Sequence, residues 1–263
     1  MSTKCEQRMR ICRFRRSETS VAQFGILDGN DLRGAHAGTL ESVSHSRLDQ
    51  PIDVSAVKLL APVTPSKIVC VGRNYREHAA ELGNKMPTEP LLFLKAPSAI
   101  IGNGDSIQLP PESTQVEHEG ELGVVIAKQA RKLSEDDDPL SYILGYTCVN
   151  DVTARDLQRQ DVQFTRAKSF DTFCPVGPWI ETELNPLNLI VKTRVNGIEK
   201  QSGRTADMAF SVPFLIRYIA NIMTLFPGDL IVTGTPAGVS RLSAGDTVEV
   251  EIDGIGILQN VVC

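Results

Sequence analysis

Residues 116–127 read VEHEGELGVVIA, three carboxylates (Glu117, Glu119, Glu121) running straight into a stretch apolar enough to be a buried strand. Like charges at alternating positions repel, and an ionised carboxylate taken out of water without a partner is strongly disfavoured. The chain must therefore fold so that positive charge reaches this point. Side chains alternate along a strand, so Glu119 and Glu121 share a face, with their Cβ atoms about 6.6 Å apart over two rises of ~3.3 Å. Long side chains converge from that separation on one cation. Gly120 points to the other face, where it lets another element pack closely. A third acid, Asp151, ends the apolar run ILGYTCVN and precedes TARDLQ. Carboxylate oxygens suit hard cations, Mg2+ or Mn2+, with positions left open for water or substrate. An exposed strand can carry E-x-E with no ion; the apolar GVVIA that follows is what favours a metal.

The 263 residues are enough for a large core, and with 41% hydrophobic residues and 20 glycines the composition is globular. The net charge of −5 argues against a nucleic-acid partner. No run approaches the ~18 apolar residues of a membrane helix, and no apolar core follows the basic start, so neither a membrane span nor a secretory signal is expected. Lys4, Arg8, Arg10, Arg13, Arg15 and Arg16 face only Glu6 in the first sixteen residues. A loose leader over 1–8 followed by a strand with one basic face is the preferred reading, and a transit peptide is the alternative. The six cysteines form no C-x-x-C pair, which points to reduced thiols in a cytoplasmic protein.

Two parts are expected: a small N-terminal domain and crossover over 1–64, and a catalytic domain over 65–263. Asp28-Gly29 and Asn30-Asp31 between apolar runs signal a hairpin. Strands are expected at KIVCVG, FLKA, ELGVVIA, ILGYTCVNDV, WIETEL, LIVKTRVNG, DLIVTGT and twice within DTVEVEIDGIGILQNVV. Helices are expected at 75–82, 153–159 and 212–224. The sum is an α+β, mostly β fold. The acidic SEDDDP at 134–139 reads as a solvated turn.

GRNYREHAAELG (72–83) is the clearest helix signal. Asn74 has the chemistry of an N-cap, Glu77 that of a capping box, and Gly83 that of a left-handed terminus. His78 and Glu81 are three residues apart and share a face. A carboxylate beside an imidazole fixes its tautomer and suits it to act as a base. By spacing alone, the same pair also describes an exposed surface contact. The helix is too short to stand alone in water, and GNKMPTEP follows it, so 75–90 is expected to be a mobile lid.

Taken in order, VGRNYREHAAE, EHEGELGVV, ND-x-TARD, RAKSFDTFCPVGPW and TGTPAGV resemble the fumarylacetoacetate hydrolase family across about residues 65–262. The resemblance implies a mixed β-roll, usually a homodimer, with a small β-rich N-terminal domain as in many bacterial members. It implies Mg2+ or Mn2+ on Glu119, Glu121 and Asp151. His78 and Glu81 match the water-activating dyad, and Lys168 matches the lysine near the metal. Arg73, Gln158 and Thr235 match substrate-lining positions. Gly120 departs from the larger apolar residue common there; it faces away from the metal, so altered packing around an intact site is expected. TGTP is not a nucleotide signature, because no G-x-x-x-x-G-K-[ST] occurs.

The implied substrate is a small 2-oxo or β-diketo acid. Hydrolysis of a C–C bond in an acylpyruvate-like acid is the first expectation, because the dyad is complete. An oxaloacetate-type decarboxylase or a 2-hydroxyhepta-2,4-diene-1,7-dioate-type isomerase or tautomerase is the alternative, and a non-catalytic ligand-binding homologue is a remote one.

Overall fold

A computed structural model describes residues 9–34, 40 and 51–263. The basic leader and residues 35–39 and 41–50 of the expected N-terminal module lie outside the described residues. The fold is α+β and mostly β, organised around one large sheet and one smaller one. Along the large sheet the order is Ile52–Asp53, Asp31–Gly34, Gln23–Asp28, Arg10–Arg15, Cys174–Glu181, Ile143–Asn150, Gly120–Ile126, Leu230–Val232, Ile68–Gly72 and Leu91–Lys95. Leu230–Val232 and Ile68–Gly72 run parallel in an otherwise antiparallel path, so the sheet is mixed. The N-terminal hairpin forms at the expected turn, with Asp28 opposite Asp31. The strand before the hairpin, Arg10–Arg15, pairs with Gln23–Asp28 on one side and Cys174–Glu181 on the other, which joins the N-terminal strands to the sheet of the main body. The expected irregular crossover contains a short strand, Lys58–Leu60, laid against Arg10–Arg15.

Gly120–Ile126 is buried on both faces, which explains its nearly continuous apolar run. Leu122, Val124 and Ile126 pack with Val191, Val250, Ile252 and Leu258 of the smaller sheet. Val212, Leu215, Ile216 and Ile219 of the helix Val212–Ile222 close the same core. Val125 faces the other way, into a second core with Val149, Cys70, Cys174 and Val232. Alternation from Val125 back to Glu121 and Glu119 therefore puts both carboxylates on the side away from the smaller sheet.

One local expectation is corrected. The helix spans Arg76–Glu81 with Tyr75 at its N-cap, and no side chain caps it. Asn74 is buried one residue earlier: its amide donates to the carbonyls of Thr233 (2.7 Å) and Phe210 (3.0 Å), and its oxygen accepts from Phe210 N (2.8 Å). Three long-range bonds outweigh one local cap, so Asn74 ties the loop before the helix to distant segments. The C-terminus forms as expected: Gly83 is left-handed at φ 68, and Asn84 N donates to the Ala79 carbonyl at 2.8 Å. The helix expected at 153–159 begins at Arg155, because Thr153–Ala154 pairs with Val116–Glu117. No helix among the described residues is long and apolar enough to cross a membrane. Cys12, Cys70, Cys148 and Cys174 are buried free thiols.

Candidate active site

Strand register assembles the acidic group. Gly120 pairs with Asn150 and Glu121 with Val149, so the next position along the same diagonal places Asp151 opposite Glu119. Two bonds pin that end of the pair: Asp151 N donates to the Glu119 carbonyl at 2.8 Å, and Glu119 N donates to Asn150 Oδ1 at 3.0 Å. Glu119, Glu121 and Asp151 each offer an oxygen within 4.8 Å of the other two, and all three are buried.

The charge that makes this arrangement tolerable comes first from the chain itself. Lys168, at the end of the short helix Thr165–Lys168, sets its Nζ 2.7 Å from Glu119 Oε2 and 2.6 Å from Asp151 Oδ2. Arg155 donates from Nε to Glu117 at 2.8 Å, from Nη2 to Glu119, and from Nη1 to Gln158 at 2.6 Å. Lys95 Nζ reaches Asp151 Oδ1 at 2.6 Å and the Val152 carbonyl at 3.1 Å. Lys95 and Arg155 are absent from the expected site. FLKA carries a signal for the first, a lysine inside an apolar strand; TARD carries the second, one turn from Gln158.

Burial alone would raise the Glu119 carboxyl, but the Lys168 and Arg155 charges hold it below the usual carboxylate range. Burial would likewise lower Lys168, and Asp151 with Glu119 reverse this. Glu121 is the exception. It accepts the Gly234 N–H at 2.5 Å, and no cation pairs with it among the described residues. Burial, then the neighbouring Asp151 and Glu119, push its carboxyl well above the ordinary value. A buried carboxylate of this kind takes a proton or a further cation. With three oxygen donors around it, the group fits a hard divalent ion. Gly234 is required here: at φ 102 an added Cβ would stand 2.6 Å from Asn74 Cβ.

A cavity of about 260 Å³ opens onto the triad. Its wall carries His78, Arg73, Arg155, Gln158, Arg159, Lys168 and Thr235, with apolar sides from Leu82, Leu91, Phe93 and Phe164. Thr235 lies on this wall, but its hydroxyl donates to the Gly120 carbonyl at 2.8 Å and accepts from Gln201 Nε2 at 2.6 Å. Arg73 holds φ 55, a left-handed conformation that non-glycine residues avoid and that concentrates at binding sites.

His78 is buried, and its Nδ1 lies 3.3 Å from Glu81 Oε2. The Glu81 carboxylate is held in turn by the Gly238 N–H at 3.0 Å. The helix that carries the dyad is thus docked, with His78 on the cavity wall. Donation from Nδ1 to Glu81 leaves Nε2 as the basic nitrogen.

The fold thus presents a mixed β-roll with a buried oxygen-donor triad, a lysine against two of its carboxylates and, on the cavity wall, a histidine paired with a carboxylate, the make-up of an enzyme site. The sequence matches the family description "Fumarylacetoacetate (FAA) hydrolase C-terminal" over residues 67–263. The chain belongs to the fumarylacetoacetate hydrolase family. It is 46% identical over 222 residues to the oxaloacetate tautomerase YisK of Bacillus subtilis, spanning 79% of this chain and 73% of that one. It is 43% identical over 220 residues to the mitochondrial oxaloacetate tautomerase Fahd2a of Rattus norvegicus, spanning 79% and 70%. Among solved structures, a 2-hydroxyhepta-2,4-diene-1,7-dioate isomerase from Mycobacterium marinum superposes with a TM-score of 0.85 at 41% identity, covering 97% of this chain and 98% of that one.

Proposed function

We propose that this protein is a divalent-metal-dependent tautomerase of small 2-oxo dicarboxylic acids, interconverting enol and keto forms as in oxaloacetate. The observation that carries the reading is one small cavity in which the acidic triad and His78 share a wall with Arg73, Arg155 and Arg159. Guanidinium groups recognise carboxylates through paired hydrogen bonds; with Arg155 already given to Glu117, Glu119 and Gln158, Arg73 and Arg159 are the groups on this wall that suit a substrate's second carboxylate. The likeness to two oxaloacetate tautomerases and a dienedioate isomerase supports the same substrate class.

Glu119, Glu121 and Asp151 would hold Mg2+ or Mn2+, which supplies Lewis-acid stabilisation of negative charge on a 2-oxo group. Lys168 adds positive charge beside the same oxygen. His78 Nε2 moves the proton: in the enol-to-keto direction it takes the proton of the C2 hydroxyl and delivers one to C3, so the imidazole ends in the state in which it began. Glu81 keeps the imidazole in the tautomer that leaves Nε2 basic. Leu82, Leu91, Phe93 and Phe164 exclude water from the reacting carbon.

Hydrolysis of an acylpyruvate-like acid, the first expectation from sequence, remains the second reading. The intact His78–Glu81 pair favours it, because the same Nε2 serves to deprotonate water. The deciding experiment follows loss of the oxaloacetate enol absorbance, acylpyruvate cleavage and CO2 release, each with Mg2+, Mn2+ and EDTA. Fast, EDTA-sensitive enol decay with little cleavage is expected. Efficient acylpyruvate cleavage without enhanced tautomerisation would replace the first reading by the second.

A further inference from the structure

Each carboxylate of the triad has one oxygen held by a group other than Lys168. Asp151 Oδ1 accepts from Lys95 Nζ at 2.6 Å, Glu119 Oε1 accepts from Arg155 Nη2, and Glu121 Oε2 accepts from Gly234 N at 2.5 Å. The second oxygens, Asp151 Oδ2, Glu119 Oε2 and Glu121 Oε1, are those a cation would share with the Lys168 ammonium. Lys168 Nζ already lies against the first two. Three carboxylates arranged this way offer three single oxygens rather than three chelating pairs.

Lys95 stands apart from the other two anchors. Arg155 lines the cavity and serves Glu117 and Gln158 as well, and Gly234 acts through its backbone. The Lys95 side chain is fully buried, is absent from the cavity wall, and is pinned by its second bond to the Val152 carbonyl at 3.1 Å. It cannot reach a substrate, so it acts on the site only through Asp151. A buried lysine is unfavourable unless its charge is used, and a well-packed apolar side chain would fill the same volume without that penalty.

We infer that Lys95 is a positioning residue that sets the ion preference of the site: by holding Asp151 Oδ1 it restricts this carboxylate to one ligating oxygen and favours Mg2+ or Mn2+ over Ca2+. The inference rests on the metal-dependent reading above. Ca2+ takes six to eight oxygens and accepts bidentate carboxylates, whereas Mg2+ keeps a tight six-oxygen shell shared between water and one or two carboxylates. Freeing Asp151 Oδ1 gives Ca2+ an additional oxygen that Mg2+ does not use. Loss of the Lys95 charge by itself acts equally on two ions of the same charge, so the ratio of their affinities isolates the geometric effect.

The test is titration calorimetry of Mg2+, Mn2+ and Ca2+ into EDTA-stripped wild type and Lys95→Met, with circular dichroism to establish folding. Wild type is expected to bind Mg2+ more tightly than Ca2+. In Lys95→Met, Mg2+ affinity should fall by about 10–100-fold, the usual effect of losing a group that orients a metal ligand, while Ca2+ affinity falls less or rises. Equal factors for the two ions in Lys95→Met would overturn the inference. A wild type that binds Ca2+ at least as tightly as Mg2+ would also overturn it, whether or not the variant folds. A wild type that binds no divalent ion at all would instead remove the metal-dependent reading on which the inference stands. Lys95→Gln, which keeps an amide donor in the same strand, should hold the preference closer to wild type than Lys95→Met does.

Discussion

Lys168 Nζ stands 2.6 Å from Asp151 Oδ2, with both side chains buried, and the same nitrogen lies 2.7 Å from Glu119 Oε2. One ammonium therefore bridges two carboxylates that strand register has brought face to face. Truncating it leaves both facing each other with only their outer partners, Lys95 and Arg155. Breaking a buried ion pair from one side typically costs about 3–5 kcal/mol. Lys168→Met is expected to lose stability on that scale when metal-free, and to recover more on addition of Mg2+ than wild type gains. Urea denaturation with and without Mg2+ measures both, and an unchanged metal-free midpoint would contradict this account of the ammonium.

Glu121 sets a pH dependence. Burial, then Asp151 and Glu119, raise its carboxyl well above the ordinary Glu range in the folded chain. Between the ordinary value and the raised one, the folded state binds more protons than the unfolded state, so this group's contribution to stability falls as pH rises. Below the ordinary value that contribution is fully present; above the raised value it is lost. Glu121→Gln resembles the protonated acid and should remove this slope. The wild-type-minus-variant difference in denaturation midpoint, followed without metal from pH 4 upward, should therefore become more negative. The same variant should stay folded and lose divalent-ion binding. Binding of Mg2+ by wild type should release a proton while Glu121 is protonated, read as a dependence of calorimetric heat on buffer ionisation enthalpy.

The alternation of VEHEGELGVVIA and the acid closing ILGYTCVN made the triad legible, because a strand's period and the end of its apolar run are local properties. The His78–Glu81 spacing was legible for the same reason. Lys95 and Arg155 were not, since their significance depends on which strand edge faces the triad, and register between distant segments is not written in either segment alone. Asn74 failed as a cap on the same ground: its chemistry suits a local bond, but Phe210 and Thr233, more than a hundred positions away, supply better ones. The short helix Thr165–Lys168 also escaped notice, because four residues carry no readable period.

Gly120 separates Glu119 and Glu121 and looks into the smaller sheet. A Cβ there would stand 2.0 Å from Thr193 Oγ1 and 3.3 Å from Val250 Cγ1. The contact is intimate enough that a methyl group must displace the strand, and overpacking of a buried position costs about 1–3 kcal/mol. Gly120→Ala is expected to destabilise by that amount and to weaken Mg2+ binding, since Glu119 and Glu121 move with their strand. The Thr193 hydroxyl is buried and has no hydrogen-bond partner among the described residues, so Thr193→Ala sacrifices little. The double variant should recover much of the lost stability and affinity. A double-mutant cycle with no coupling would show that the two positions do not meet.

The dyad separates the two readings of the reaction. His78 is buried on the cavity wall, and Glu81 is fixed between His78 Nδ1 and the Gly238 N–H. Proton transfer at C3 needs a base whose orientation is maintained, and such assistance contributes about 10²–10⁴-fold. His78→Ala should reduce enol–keto interconversion of oxaloacetate by that order while leaving Mg2+ affinity near wild type, because the imidazole is not part of the acidic triad. Glu81→Gln should follow in the same direction but less severely: the amide oxygen can still accept from Nδ1, but the negative charge that favours the imidazolium is gone. Both variants belong in the same series with acylpyruvate cleavage and oxaloacetate decarboxylation, at matched Mg2+. Under the tautomerase reading, interconversion carries the loss in both variants, the larger one in His78→Ala. Under the hydrolase reading, acylpyruvate cleavage carries the loss instead, since only that reaction consumes an activated water. Retention of every activity in His78→Ala would remove the dyad from the chemistry and leave Lys168 and the triad to account for it alone.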